Sequence, residues 1–252
     1  DLRADLKIAQ TKGHRYSING VASTLGLEVG RLLNIAKAGK LNATLNSAVT
    51  VGSVASGGVV GDINVDVASF NFAGYTYQDI HGVGKIDGNQ IYGEVNAADP
   101  NLEFDMFADV DINAENPYYR LSMMLMNADL HALGINKRDE ISRLSANVGI
   151  DISGKSLEEL NGYVSIADSE YHYPGGDIYS NRIRVDMDST PQQKYVQCKS
   201  DFFDFDFRSR SSYRDIYDYL YNSLKTYVPM LYDNASEFKI YDSASGSTND
   251  YT

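Results

Sequence analysis

A single cysteine, Cys198, occurs among 252 residues, so no intrachain disulfide can form and cysteine usage leaves the redox compartment open. Long apolar runs are missing too. The longest lies near "LSMMLM", Leu121–Met126, far short of the ~20 residues that cross a bilayer as a helix. Positive charge is scarce: 22 Lys and Arg stand against 34 Asp and Glu, a formal charge of −12. This balance argues against a nucleic-acid partner, which needs clustered Lys and Arg, and against simple adsorption to an anionic membrane surface. Tryptophan is absent, and tyrosine dominates the aromatics with 19 residues against 9 phenylalanines. Tyrosine can lie half in water and half in an apolar layer.

Catalytic constellations are lacking as well. His14, His81, His131 and His172 are scattered without metal-ligand spacing. There is no G-x-S-x-G elbow and no P-loop. "GVGKIDG", Gly82–Gly88, lacks phosphate-loop spacing and reads as a hairpin. Asp204 and Asp206 share a strand face, but the positions after them do not continue an EF-hand loop, and Arg208 and Arg210 would neutralise them. Carboxylates are plentiful, yet nothing singles out a glycosidase pair. Asn42 and Asn234 open Asn-x-Ser/Thr sequons, a short pattern that is common by chance. The expectation is a non-enzymatic chain with no metal and no cofactor.

What is present is period-two alternation. In "SDFFDFDFRSRS", Ser200–Ser211, Phe203, Phe205 and Phe207 fall on one side, and Asp204, Asp206 and Arg208 on the other. The same rhythm groups Ile63, Val65 and Val67; Leu102, Phe104 and Met106; Tyr119, Leu121, Met123 and Leu125; Val148, Ile150 and Ile152; and Ile183, Val185 and Met187. Strict alternation means half-buried strands. Gly, Asn and Asp clusters punctuate them in "VASGG", "IDGNQ", "ADPN" and "YPGGD". Asp99 and Pro100 suit the first two positions of a type I turn. About a dozen strands with few helices exclude a βαβ plan, leaving a mainly β, antiparallel meander.

Three helical segments are expected: Leu25–Lys37, Ala128–Ile135 and Ser211–Val228. The last has Ile216, Leu220 and Leu224 beside a stripe of Tyr213, Tyr217 and Tyr221, with Ser212 and Asp215 at capping-box spacing and Pro229 as its stop. Ser156 and Glu159 predict a helical turn joining two strands. Residues 1–242 read as one elongated unit, and 243–252 as a loose tail. Because "DLRADLKIAQ" already reads as strand, the chain is expected to be a piece of something longer.

Several motifs occur in a telling order. "FAGYTYQDI" (Phe72–Ile80) precedes Gly-spaced hairpins and "DPNL" (Asp99–Leu102). Then come "YRLSMMLMNADLHALGI", "ISGKSLEELNGYVSI" and "CKSDFFDFDFRSRSSYRDIYDYLYNSLKTYVP". This series resembles the TamB family, the large subunit of the translocation and assembly module, in its Bacteroidetes-type variants, and relatives of the AsmA type. The likeness covers Leu25–Asp242. One departure is "FFDFDF", where the family often has a glycine after S-D-F; the family's membrane anchor and terminal domain also have no counterpart here. The resemblance implies an inner-membrane-anchored periplasmic protein of Gram-negative bacteria, a bridge-like lipid-transfer protein folded as an open β-taco. Its expected partners are phospholipid acyl chains and an outer-membrane, BamA-type (TamA-like) protein.

Under that reading the groove lining is Ile63, Val65, Val67, Phe104, Met106, Leu121, Met123, Leu125, Ile150, Ile152, Ile183, Val185, Phe203, Phe205 and Phe207. A lipid crossing water exposes ~0.8 kcal/mol per methylene, so a sixteen-carbon chain needs shelter worth ~12 kcal/mol. Alternation alone does not separate an open groove from a closed sandwich, because both want one apolar face; without the resemblance, the sandwich is the favoured reading. Two rival functions stay open: a periplasmic scaffold that captures unfolded outer-membrane strands by edge pairing, and a carbohydrate-binding or carbohydrate-active β-sandwich suggested by the tyrosines.

Overall fold

The computed structural model describes residues 1–11, 15–52, 58–112, 115, 117–190, 192–213, 215 and 218. Thirteen strands follow one another: β1 (Leu2–Thr11), β2 (Arg15–Glu28), β3 (Ala38–Val51), β4 (Val59–Phe72), β5 (Tyr75–Asp87), β6 (Gln90–Asp99), β7 (Leu102–Asp111), β8 (Tyr118–Asp129), β9 (Arg143–Ser153), β10 (Asn161–Tyr173), β11 (Gly176–Thr190), β12 (Gln193–Ser200) and β13 (Asp204–Ser209). They form one antiparallel sheet in strict chain order. The sheet does not close: β1 and β13 are its two edges. The meander expected from the alternation is therefore present as a single open layer, and the closed sandwich is excluded. At a strand spacing of ~4.8 Å, thirteen strands extend ~58 Å along the hydrogen-bonding direction.

The turns follow from local chemistry. Ala73 and Gly74 join β4 to β5 with φ of 52° and 92°, the positive values a two-residue hairpin turn needs. Pro100 and Asn101 join β6 to β7. Buried Asp99 fixes that corner by accepting the backbone N–H groups of Asn101 and Gln78 and the Tyr75 hydroxyl. Burial and the Asp99 carboxylate push the Tyr75 pKa up. "GVGKIDG" runs along β5 into a turn at Gly88, as a hairpin.

The helices are shorter than the sequence suggests. In place of Leu25–Lys37, β2 continues to Glu28 and the helix α1 spans only Val29–Leu33. Gly26, at φ +67°, sits in a bulge, and Asn34 ends the helix in the left-handed region. Ala128–Ile135 is not a helix. Ala128 and Asp129 pair with Leu144 and Arg143 in the sheet, and residues 130–134 form turns that Gly134 closes. Sheet pairing of the first two residues leaves too short a segment for a helix. A 3-10 turn at Leu157–Glu159 joins β9 to β10 where a helical turn is expected. Ser212 and Asp215 form the reciprocal capping box: each side chain accepts the other residue's backbone N–H. Most of Ser211–Val228, and all of 243–252, lie outside the described residues.

Irregularities share one long side of the sheet. Register shifts occur at Thr24–Leu27, Glu103–Phe104, Leu125–Ala128 and Ala167–Glu170, each near the strand end that carries the 73–74, 100–101 and 174–175 turns. Bulges bend strands and sharpen twist locally, so that side is the less regular one. The small core packs beside it. Leu125, Ala128 and Leu133 are buried together, with Tyr75, Tyr77, Leu102 and Phe104 against them. Leu133→Ala is expected to cost about 3 kcal/mol in urea unfolding, because it opens a void under the 130–134 turns.

Candidate functional site

Residues opposite one another across a ladder share a face. One such row crosses every strand: Leu6, Gly20, Ser47, Ile63, Gly84, Gly93, Ala108, Leu121, Ile150, Val164, Val185, Cys198 and Phe205. The adjoining row runs Ala4, Ala22, Leu45, Val65, Gly82, Val95, Met106, Met123, Val148, Ile166 and Ile183. Ile152 and Phe207 belong to a third row, linked through Gly162, Met187 and Val196. Val67 and Phe104 join the same face through Ile80 and Ala97, and Leu125 pairs with Phe104. Phe203 lies just before β13 with its ring stacked on Phe205, centroids 6.2 Å apart. The fifteen residues singled out from the alternation thus stand on one continuous apolar face.

Among the described residues, that face carries no second layer of sheet. Ile91 is 42% exposed, Phe205 45% and Leu45 37%, values that a sandwich interior would not leave. The face is locally hollow at β4–β7, where an apolar concavity of about 260 Å³ is lined by Ile63, Val65, Ile80, Gly82, Val95 and Ala108, among others. Glycines create it. At Gly84 and Gly93, which are paired across β5 and β6, side chains are absent and the backbones approach closely: a Cβ on Gly93 would stand 2.2 Å from the Val83 carbonyl oxygen. Toward β8–β11 the same row carries Leu121, Ile150, Val164 and Val185, so the floor rises.

The opposite face is polar. The row Asp62, Lys85, Tyr92, Asp109, Arg120, Asp151, Tyr163, Asp186, Gln197 and Asp206 alternates acids with cations and aromatics. Arg120 lies 3.8 Å from Asp109 and 3.5 Å from Asp151. Arg184 stacks over Tyr163 at 3.8 Å, and its hydrogen bonds hold the Asp186 carboxyl below the ordinary carboxylate range. Donation by Gln197 and Tyr195 does the same for Asp206. The aspartates of "FFDFDF" therefore face water as structural acceptors, and Phe203, Phe205 and Phe207 lie on the apolar side. No group of three or more His, Cys, Asp or Glu among the described residues could hold a metal ion.

Two structures border the apolar face. The 130–134 turns cover Leu125 on the bulged side, so Leu125 is core rather than open wall. On the other side, Lys194 occupies an apolar-face position of β12 and is only 2% exposed. Its Nζ donates to the carbonyls of Glu158 and Thr190 at 2.6 and 2.7 Å and lies 3.3 Å from Glu158 Oε2. Glu158 also accepts the backbone N–H of Tyr213, and the Tyr213 hydroxyl meets Ser189 Oγ. This clasp ties the 157–159 turn, the sheet and residue 213 together.

No protein-family model, curated protein or solved structure matches this chain. The face must therefore be read from its own chemistry. Alternation missed part of it: Ile80, Ile86, Ile91, Val95 and Val110 lie on it but were not singled out. In β5 and β6 glycines occupy every second apolar position or so and hide the rhythm. The available signal was Ile80-x-Gly82-x-Gly84-x-Ile86, in which glycine keeps the period of two. Lys194 was missed because a lysine in a strand reads as solvent-facing.

Proposed function

We propose that this chain is a periplasmic segment of a TamB-like protein and offers phospholipid acyl chains a hydrophobic groove on their way between inner and outer membranes. The observation that carries the reading is the unbroken apolar face, thirteen strands long and partly exposed. Buried apolar surface is worth ~25 cal/mol per Å², and sheltering an acyl chain needs area and shape rather than a reactive group. A half-exposed row of Ile, Val, Leu, Met and Phe supplies that area; the charged reverse keeps the other side in water. In the whole protein, an inner-membrane anchor and an outer-membrane partner of the BamA type would complete the path and link it to outer-membrane protein assembly.

The test separates the two faces. Native mass spectrometry of the purified chain is expected to reveal co-purified phospholipid, and photocrosslinkers at Ile63 or Met106 should capture it. Met123→Arg and Phe205→Arg should abolish capture, whereas Asp204→Ala should leave it intact. Equal losses from both faces would sink the proposal.

A further inference from the structure

A concavity of about 550 Å³ lies on the polar face, opposite the apolar hollow. Its wall runs across β3–β7 through two neighbouring rows. One holds Asn46, Asn64, Val83, Glu94 and Phe107; the other holds Asp62, Lys85 and Tyr92. We propose that this concavity binds a neutral oligosaccharide, with a pyranose ring set against Phe107 and its hydroxyls met by Asn46, Asn64 and Glu94.

Three observations carry this. Phe107 is 46% exposed in a row whose other members at the concavity include Asn46, Asn64 and Glu94, and Val83, 40% exposed, lies in the same row. A pyranose has one apolar C–H face and a rim of hydroxyls, so it suits a ring beside carboxamides. The exposed carboxamide of Asn46 offers a donor and an acceptor together, which hydroxyls need and a purely anionic or cationic ligand does not, and Asn64 lines the same wall. Charge narrows the class: Asp62 and Glu94 outweigh Lys85, which lies 3.8 Å from Asp62, so phosphate- or sulfate-bearing ligands are disfavoured. The site stands apart from the lipid reading, since it uses the other side of the same strands.

The experiment is saturation-transfer NMR on the purified chain with chitohexaose, cellohexaose and maltohexaose, followed by titration of any binder. At least one of these sugars should receive saturation. Phe107→Ala and Asn64→Ala should each weaken it by about tenfold. Phe107→Leu keeps apolar bulk without the ring and should weaken it as well, which separates loss of stacking from loss of fold. Met123→Arg, on the apolar face, should leave sugar binding unchanged. No transfer to any of the three sugars, or transfer that survives both Phe107→Leu and Asn64→Ala, overturns the assignment.

Discussion

Gly82→Leu is expected to keep the sheet intact and deprive it of bound lipid. Gly82 lies on the apolar face between Val65 and Val95 and lines the hollow of β4–β7. A Cβ there would meet only Val95 Cγ2 at 3.7 Å and the Glu94 carbonyl oxygen at 3.8 Å, ordinary contacts. Adding a side chain at a glycine whose backbone permits it also restricts the unfolded chain, worth roughly 0.4–1 kcal/mol of stability. The leucine would project into the concavity and fill it. Native mass spectrometry should then find little phospholipid on a protein that unfolds at the same or higher urea concentration. Gly93→Ala is the contrast. Its Cβ would stand 2.2 Å from the Val83 carbonyl oxygen and 2.6 Å from Gly84 Cα, so the β5–β6 pair must separate. That substitution should cost about 3 kcal/mol and lose lipid by losing structure. If Gly82→Leu retains lipid at the wild-type level, the hollow is not where acyl chains sit.

Lys194→Ala is expected to destabilise the chain by about 3 kcal/mol in urea unfolding. The ammonium is almost wholly out of water and holds two backbone carbonyls and a carboxylate. Removing it leaves two carbonyls without their donor and Glu158 without its cation, and an unmatched buried polar group costs roughly 1–3 kcal/mol. Glu158 is itself 40% exposed, so its ion-pair share is discounted for screening by water. Lys194→Met retains the aliphatic stem and should lose nearly as much. In a double-mutant cycle with Glu158→Gln, non-additivity would measure the pair alone. A loss below about 0.5 kcal/mol for Lys194→Ala would place Lys194 among ordinary surface residues.

Much of this was legible in the chain. The phenylalanines of Phe203–Phe207 and the aliphatics of β4, β7, β8, β9 and β11 announced their face, because a strand's period of two leaves no other arrangement. What alternation could not supply was the number of layers. A sandwich and an open sheet make the same demand on each strand, and the difference lies in pairing between strands far apart in sequence, about which residues such as Val65 or Ile150 say nothing. Helix lengths failed for a related reason: the Ala128–Ile135 pattern is apolar enough for a helix, but sheet partners Leu144 and Arg143 claimed its first residues. Lys194 was visible in principle. In "QKYVQCKS" it alternates with Val196 and Cys198, a local conflict that marks a buried cation with partners supplied from elsewhere.

The strict order of the strands carries a consequence for how the chain is made and unmade. Every β-neighbour is also a sequence neighbour, so each hairpin can close as soon as it leaves the ribosome, without waiting for a distant segment. Short-range pairing of this sort lowers the entropic barrier to folding and makes stability close to a sum of adjacent terms, as in repeat arrays. Pulled from its two ends, such a ribbon would come apart one strand at a time, and growth or loss at an edge would leave the remainder standing.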